Sequence, residues 1–260
     1  MIELRHNIAL ISLSTIVRRE WLRMIRISGQ VFLPPVITMS LYFLIFGTLI
    51  GARIGSINGM PYPHYIAPGL IMMTIINNAY SNVSSSFFSN RFQKNIEELL
   101  ISPTPNFIIL LGYVLGGVIR SIVVGLLVTI VTLFFIPLQI HSYTILILTV
   151  FLVSTLFALA GFTNAILART FDDIMLIPTF ILTPLTYLGG VFYSVNMLSP
   201  FWKKISLYNP IFHMVNSFRY GMLGFSDTNI NVAISFISFL VISLTILNLH
   251  LLEKGTGLKE

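Results

Sequence analysis

Six long apolar runs, separated by short polar segments, restrict what this chain can fold into. They cover residues 31–50, 66–88, 107–136, 142–168, 174–193 and 230–252. A helix that crosses the hydrocarbon core of a bilayer needs about 20 consecutive apolar residues. Only 9% of the residues are charged, whereas soluble domains carry about 25%. The sequence therefore predicts an all-α membrane protein with six transmembrane helices.

Residues 1–30 precede the first run and show the pattern of an amphipathic helix. Arg19, Arg23 and Arg26 recur at positions i, i+4 and i+7. An apolar stripe that contains Trp21 lies about 200° away at ~100° per residue. Helices of this kind lie in the plane of the membrane interface instead of crossing it. We therefore expect an interfacial helix before the first span.

The basic residues predict the orientation of the spans. Ten of the 15 Lys and Arg residues fall in the terminal segments and in loops 89–105 and 169–173. The opposite side holds Arg53, Lys203, Lys204 and Arg219, and we expect Arg120, inside the third run, to extend toward the cytosolic side. Short cytoplasmic loops carry the excess of basic residues. Both termini are therefore expected in the cytoplasm, and the net charge of +6 reflects orientation instead of nucleic-acid binding.

Segment 91–105, RFQKNIEELLISPTP, is a polar island between two apolar runs. Its helical pattern places Phe92, Ile96, Leu99 and Leu100 on one face, with Arg91, Lys94, Glu97 and Glu98 off that face. Two prolines, at positions 103 and 105, end the helix because proline lacks the amide donor. The pattern alone leaves two interpretations open, a solvated loop and a helix that binds a partner.

The second half of run 66–88 is unusually polar for a membrane helix. Its candidate path-lining residues are Asn77, Asn78, Ser81, Asn82 and Ser85. Polar groups in hydrocarbon need partners. They could hold helices together or line a polar transport path, and the sequence favours neither.

Two further segments predict local structure. In the turn RTFDD at 169–173, Thr170 and Asp173 have the spacing of a capping box, which we favour over a metal site or a proton relay. Segment 195–228 is too polar for a span and too apolar for an ordinary loop, so short helices at the membrane edge fit it better. Gly112 and Gly116 form a GxxxG pair that permits close helix contact.

The chain lacks the motifs of several functional classes. It has no cysteine, no phosphate-binding loop of the form GxxxxGK[ST], and neither HExxH nor GxSxG. No predicted span carries a central Asp or Glu, which disfavours an ion-coupled carrier. We therefore expect that the chain is not an enzyme and that any transport it performs draws its energy from another protein.

Five stretches of the chain together resemble one family of membrane proteins. They are VFLPPVITMSLYFLIFG at 31–47, NIEELLISPTP at 95–105, ARTFDDI at 168–174, PTFILTPLTYLGGVFYSV at 178–195 and NPIFHMVNSFRYG at 209–221. With these motifs the chain resembles, over nearly its whole length, the ABC-2 type permeases. These are the membrane subunits of bacterial ATP-binding-cassette exporters.

The resemblance implies an architecture and a set of partners. It implies a single transmembrane domain over 1–260, with an interfacial helix at 1–30, a six-helix core at 31–252 and a cytoplasmic tail at 253–260. Within the core it implies a coupling helix at about 91–101 and short external re-entrant helices at about 195–228. The permease would form a homodimer in the bacterial inner membrane and bind a dimer of separate ATPase subunits. ATP and Mg²⁺ would bind in those subunits, and this chain would hold no cofactor.

The resemblance also implies two sets of site residues. ATPase coupling falls to Arg91, Phe92, Lys94, Ile96, Glu97, Glu98, Leu99, Leu100, Asp172 and Asp173, and the external gate to Tyr187, Gly189, Gly190, Trp202, Asn209, Pro210 and Arg219. The implied function is export of an amphipathic, lipid-linked, glycan or drug-like substrate. The residues alone leave a secondary carrier or a membrane assembly scaffold, each without an ATPase partner, as alternatives.

Overall fold

The computed structural model describes residues 2–57 and 59–256, with side chains except at positions 2–7, 48, 52, 97, 99 and 100. The α-helices are α1 (Ile2–Arg26), α2 (Ser28–Tyr42), α3 (Gly51–Ile54), α4 (Tyr62–Phe92), α5 (Asn95–Ile101), α6 (Asn106–Leu133), α7 (Tyr143–Leu167), α8 (Phe171–Ile177), α9 (Thr183–Tyr187), α10 (Pro200–Tyr208), α11 (Pro210–Leu223) and α12 (Ile230–Lys254). Segments Phe43–Ile50 and Pro178–Leu182 are π-helical, and Val195–Met197 is a 3₁₀ turn. Strands β1 (Ser56–Ile57) and β2 (Met60–Pro61) form a small antiparallel hairpin.

Helix α4 lies at the centre of the bundle. It packs against α6, α7 and α11, and its apolar residues join both hydrophobic cores of the chain. The approach of α7 to α4 is close because Gly161 has no side chain. A Cβ at that position would lie 2.5 Å from the carbonyl oxygen of Tyr80. The close packing of α7 on the backbone of α4 therefore requires glycine at position 161.

Four helical segments have the length and hydropathy to cross a membrane within the described residues. They are Ser28–Gly47, Asn106–Leu133, Tyr143–Leu167 and Ile230–Lys254, and each matches a predicted run. The second run lies inside α4, whose polar half lowers its mean hydropathy. The fifth run, predicted to extend to residue 193, is helical through α8 and α9 and stops at Tyr187. The turn that follows places Gly190 at φ +69°, which a continuous helix does not allow.

Helix α1 is amphipathic, as predicted for the N-terminal segment, but of the predicted apolar stripe Met24 is buried while Trp21 is exposed. Among the side chains described from residue 8 onward, the buried residues of this helix are Ile16, Glu20 and Met24, spaced at i, i+4 and i+8. They lie against α6, where Gly112 and Gly116 of the GxxxG pair provide room. A Cβ at Gly116 would lie 2.8 Å from the Glu20 side chain. The pair therefore serves the α1–α6 contact.

The region predicted to hold short helices at 195–228 contains α10 and α11, which meet at Asn209. The Asn209 side chain accepts a hydrogen bond from the amide of Ile211 at 2.9 Å and so caps α11. Helix α11 packs against α4, α7 and α12. It ends at Gly224, which has φ +72°. Helix α11 is thus part of the core, whereas most of α10 lies on the surface.

Candidate functional site

The turn between α4 and α5 is the first feature of the predicted coupling segment. Helix α4 continues to Phe92, and Lys94 then adopts φ +61°, the left-handed conformation that non-glycine residues rarely take. Helix α5 begins only at Asn95. The single helix predicted from Arg91 is therefore wrong, because the chain turns sharply inside it. Phe92 and Ile96 belong to different helices.

Arg91 fastens the end of α4 to the end of α7. Its guanidinium donates hydrogen bonds to the carbonyl oxygens of Ala165 at 2.9 Å, Ile166 at 2.5 Å and Ala168. The last carbonyls of a helix lack intrahelical partners. Arg91 satisfies those of α7 and lies 5.3 Å from the Phe88 ring centroid. It binds the backbone of its own chain, so it links the two helices, and its predicted role in ATPase coupling stays a prediction.

Helix α5 presents both a buried and an exposed side. Ile96 is 2% exposed and belongs to the core below. Lys94 and Glu98 are exposed, and so is Phe92 at the end of α4. The predicted coupling residues Glu97, Leu99 and Leu100 have side chains outside the described part of the structure. Ile96 therefore holds α5 to the bundle and Glu98 is available to a partner.

Helix α8 begins beside this surface with the predicted capping box, which the structure confirms. The hydroxyl oxygen of Thr170 accepts a hydrogen bond from the Asp173 amide at 3.2 Å. The Asp173 carboxylate accepts from the amides of Arg169 at 2.8 Å and Thr170 at 2.9 Å. These backbone donors lower the pKa of Asp173 below its ordinary value. Asp172 is exposed and lies in the same first turn.

The polar half of α4 divides into two stripes one residue apart. Asn77, Ser81 and Ser85 are exposed, at i, i+4 and i+8. Asn78 and Asn82 continue along the other stripe and are buried. Burial thus separates the predicted path-lining residues into two groups. Asn78 and Asn82 face the interior of the chain and do not line an open path, because they are 8% and 2% exposed.

The buried stripe takes part in a polar cluster with α1 and α6. Glu20 accepts hydrogen bonds from the hydroxyl of Ser86 at 2.5 Å and more weakly from the amide of Asn82 at 3.5 Å. Arg23 lies 3.3 Å from the same carboxylate and donates to the Asn82 side chain at 2.7 Å. Arg120 donates to that same amide oxygen at 3.2 Å. Arg120 therefore joins this cluster through Asn82, and its predicted extension toward the cytosolic side stays a prediction.

A second cation, Arg219, is buried at the other end of α4. Its side chain is 0% exposed and its guanidinium carbon lies 4.1 Å from the ring centroid of Tyr65. One nitrogen donates to the carbonyl oxygen of Gly190 at 2.6 Å. Since Arg219 is enclosed in the core, it is not one of the exposed charges on which the sequence-based orientation count depends. Asp227 lies near it, and burial raises the pKa of this carboxyl while Arg219 opposes that shift.

The other predicted gate residues fall into two groups. Gly189, Asn209 and Pro210 lie together near Gly190, where the Asn209 amide donates to the carbonyl oxygen of Leu185 at 2.6 Å. A Cβ at Gly189 would lie 2.9 Å from the Ile211 side chain. The structure does not bring Tyr187 and Trp202 into this contact, and both are exposed, by 47% each.

Residues 11–223 match the family model described as ABC-2 type transporter. The chain belongs to the ABC-2 type transporter family. This ABC-2 protein is 51% identical to the inner membrane transport permease YadH of Escherichia coli K12. The aligned region of 250 residues covers 96% of this chain and 98% of YadH. Nodulation protein J of Neorhizobium galegae is 22% identical over 208 residues, 80% of this chain and 79% of that protein. Nodulation protein J of Sinorhizobium fredii is 24% identical over 220 residues, 83% and 82% of the two chains.

Family membership confirms the resemblance found in the motifs and makes the chain a transport permease of the ABC type. The sequence reasoning nevertheless missed Glu20, the centre of the buried cluster in this ABC-2 protein. A weak signal existed, because Glu20 is the one acidic residue between Arg19 and Arg23 in a basic helix. Its partner Ser86 is 66 residues away in the chain, which no local pattern reveals.

Proposed function

We propose that the chain is the permease subunit of an inner-membrane ABC-2 exporter, powered by separate ATPase subunits. Two copies would pair, with six spans and cytoplasmic termini in each copy, and α10 and α11 would lie at the external side. The substrate class is amphipathic, and lipid-linked, glycan and drug-like molecules all fit it. ATP binding would close the ATPase dimer and move the α5 helices, and the attached membrane helices would follow.

The observation that carries this proposal is the way α5 is joined to the bundle. It is a short helix set at an angle to α4 by the turn at Lys94, with Glu98 exposed. Ile96 packs in the core, and Arg91 ties the adjacent end of α4 to the end of α7. A force applied to α5 would therefore reach α4 and α7 together.

The exposed stripe of α4 supports a path or a contact with a second copy. Ser85 already donates to the carbonyl oxygen of Ser81 at 2.6 Å, but the side chains of Asn77 and Ser81 are exposed polar groups. In a bilayer such groups need polar partners. A second permease or a polar substrate would supply them, whereas acyl chains would not.

The docking surface is tested by charge reversal on α5. Two variants are made, the single change Glu98→Arg and the double change Glu97→Arg with Glu98→Arg. Each is expressed together with those ABC ATPases of the same genome that have no membrane domain of their own. The tagged permease is purified, the retained ATPase is quantified by mass spectrometry, and ATP hydrolysis is measured. We expect at least a tenfold loss of retained ATPase, equivalent to about 1.4 kcal/mol or more.

Glu253→Arg provides the matched control, because Glu253 is an exposed acidic residue at the end of α12 and undergoes the same charge reversal. It is expected to retain the ATPase. If the double α5 variant retains ATPase and stimulated hydrolysis at the control level, α5 is not the docking helix. If the unmodified chain retains no ATPase yet transports with an ion gradient, the carrier interpretation replaces this proposal.

A further inference from the structure

A basic cavity of about 600 Å³ lies between α1 and the C-terminal half of α4. Its volume is within the range of about 300–1,000 Å³ that is typical of ligand sites. The charged residues that line it are Arg18, Arg19, Arg23, Arg26 and Glu20. Four positive charges against one negative charge give this lining a net charge of +3.

The single carboxylate of the cavity does not neutralise its arginines. Glu20 is 3% exposed and is engaged by Ser86 and Arg23. Arg18 and Arg26 are exposed, and within the described residues neither forms an ion pair. The cavity therefore keeps an excess of positive charge that an anion would compensate.

Two of the arginines are held in position before any ligand arrives. Arg23 donates to the backbone and side-chain oxygens of Asn82 at 2.9 and 2.7 Å. Arg19 donates to the hydroxyl of Tyr113 at 2.5 Å. The Nε atom of Arg23 is buried and, within the described residues, has no hydrogen-bond partner. Guanidinium groups that are fixed beside a cavity suit the oxygens of a phosphate group.

The rim of the cavity is apolar on one side. Leu22 lines the cavity and is 48% exposed, and Trp21 and Ile25 on the same helix are 43% and 50% exposed. Helices with a basic side and an apolar side lie at the boundary of lipid headgroups and acyl chains. A phosphate that carries an acyl chain would place its headgroup among the arginines and its chain along these residues.

We propose that this cavity is a binding site for a phosphate group, carried either by a membrane lipid or by a soluble phosphate compound. The site goes beyond the proposed function, since it needs neither an ATPase partner nor a defined direction of transport. Binding is measured on the full chain in detergent by native mass spectrometry. The probes are phosphatidylglycerol and the zwitterionic phosphatidylcholine, with glycerol 3-phosphate as the soluble competitor.

Arg18→Gln with Arg26→Gln is the decisive variant, because it removes two charges and none of the hydrogen bonds described for the polar cluster. A basic residue near anionic lipid contributes about 1 kcal/mol, so we expect about a 30-fold loss of phosphatidylglycerol affinity. The control is Arg169→Gln with Lys254→Gln, an equal charge change on exposed residues elsewhere. It should change the affinity by less than about threefold.

The outcomes separate the sources of the phosphate. Saturable binding of phosphatidylglycerol that the variant loses, without competition by glycerol 3-phosphate, supports a lipid-borne ligand, and competition supports a soluble one. The choline of phosphatidylcholine cancels the charge of its phosphate, so the proposal is overturned if this lipid binds as well as phosphatidylglycerol. It is also overturned if neither phosphatidylglycerol nor glycerol 3-phosphate binds, or if the variant and the control lose affinity to the same extent. Failure here leaves the ATPase docking test on α5 unaffected.

Discussion

Replacing Glu20 by alanine would remove the carboxylate through which α1 joins the polar stripe of α4. In the native chain this carboxylate accepts the Ser86 hydroxyl at 2.5 Å and lies 3.3 Å from Arg23. Glu20 is 3% exposed, and water entering from the adjacent cavity would not replace its negative charge. The substitution leaves Ser86 without its acceptor and Arg23 without its counter-ion.

The size of the effect follows from the burial of the pair. Removing one partner of a buried ion pair costs about 3–5 kcal/mol. Arg23 retains its bonds to Asn82 and its side chain is 28% exposed, so the lower end applies. A cost of about 3 kcal/mol changes the equilibrium between docked and detached α1 by a factor of about 150. Glu20→Gln keeps an acceptor for Ser86 and should have a smaller effect.

Detachment of α1 is measurable because the native chain contains no cysteine. Met24→Cys introduces one thiol on the packed face, where the native residue is 3% exposed. Maleimide labelling in detergent is then compared with and without Glu20→Ala. We expect the labelling rate to rise by a factor of about 10² in the variant. Leu22→Cys, at a position that is 48% exposed, should label rapidly in both backgrounds.

One result would refute this reasoning. If the labelling rate of Met24→Cys is the same, within about threefold, in the presence and absence of the Glu20→Ala substitution, then the carboxylate does not hold α1 in place. The Leu22→Cys reporter guards against a change in reagent access. Equal rates at Met24→Cys would also mean that apolar packing on α6 alone fixes the helix.

Three further results are expected. Gly116→Leu should lower the free energy of unfolding by about 1–3 kcal/mol, because even a Cβ would lie 2.8 Å from the Glu20 side chain. The measurement is a lower Tm in detergent. Gly29→Leu is the control and should leave the Tm unchanged, since a Cβ at Gly29 would have no atom within 4 Å. The pKa of Asp173 lies below its ordinary 3.8, so its stabilising contribution is present above that pH and is lost as pH falls through the lower folded value. Hydrogen exchange at the start of α8, normalised for intrinsic rates, should accelerate below about pH 4, and Asp173→Asn should remove this step. Arg219→Ala should lower the free energy of unfolding by about 3 kcal/mol, because it removes the contacts with the Tyr65 ring and the Gly190 carbonyl oxygen. This corresponds to a Tm decrease of about 6–12 °C. Arg219→Lys should lower the Tm less, because it keeps the positive charge.

The helical architecture could be predicted from the sequence because its signals are local. Long apolar runs identified the four helices that are long and apolar enough to cross a membrane. The capping box at Thr170 was predictable because both of its partners lie within four residues. The turn at Lys94 was not, since left-handed backbone is usually signalled by glycine and a lysine stands there. One helix was therefore predicted where two occur.

The polar contacts could not be predicted for the opposite reason. Arg120 lies inside an apolar run and Arg219 in a more polar segment, and orientation rules treat such charges only as markers of one side of the membrane. Arg120 binds the side-chain amide of Asn82, 38 residues away, and Arg219 lies over the ring of Tyr65 in α4. Both partners come from tertiary packing. Charge counts are therefore reliable only for residues that remain outside the folded core.

Helix α4 connects these contacts into one mechanical unit. Tyr65 near its start holds Arg219 of α11, Ser86 in its polar half holds Glu20 of α1, and Arg91 at its end holds α7. These three contacts attach three other helices to one rod of 31 residues. A displacement of α5 must therefore either carry α4 with its attached helices or be absorbed in the turn at Lys94. Because that residue has a strained backbone conformation, the turn at Lys94 would set how stiffly α5 is coupled to the membrane helices if a partner binds there as proposed.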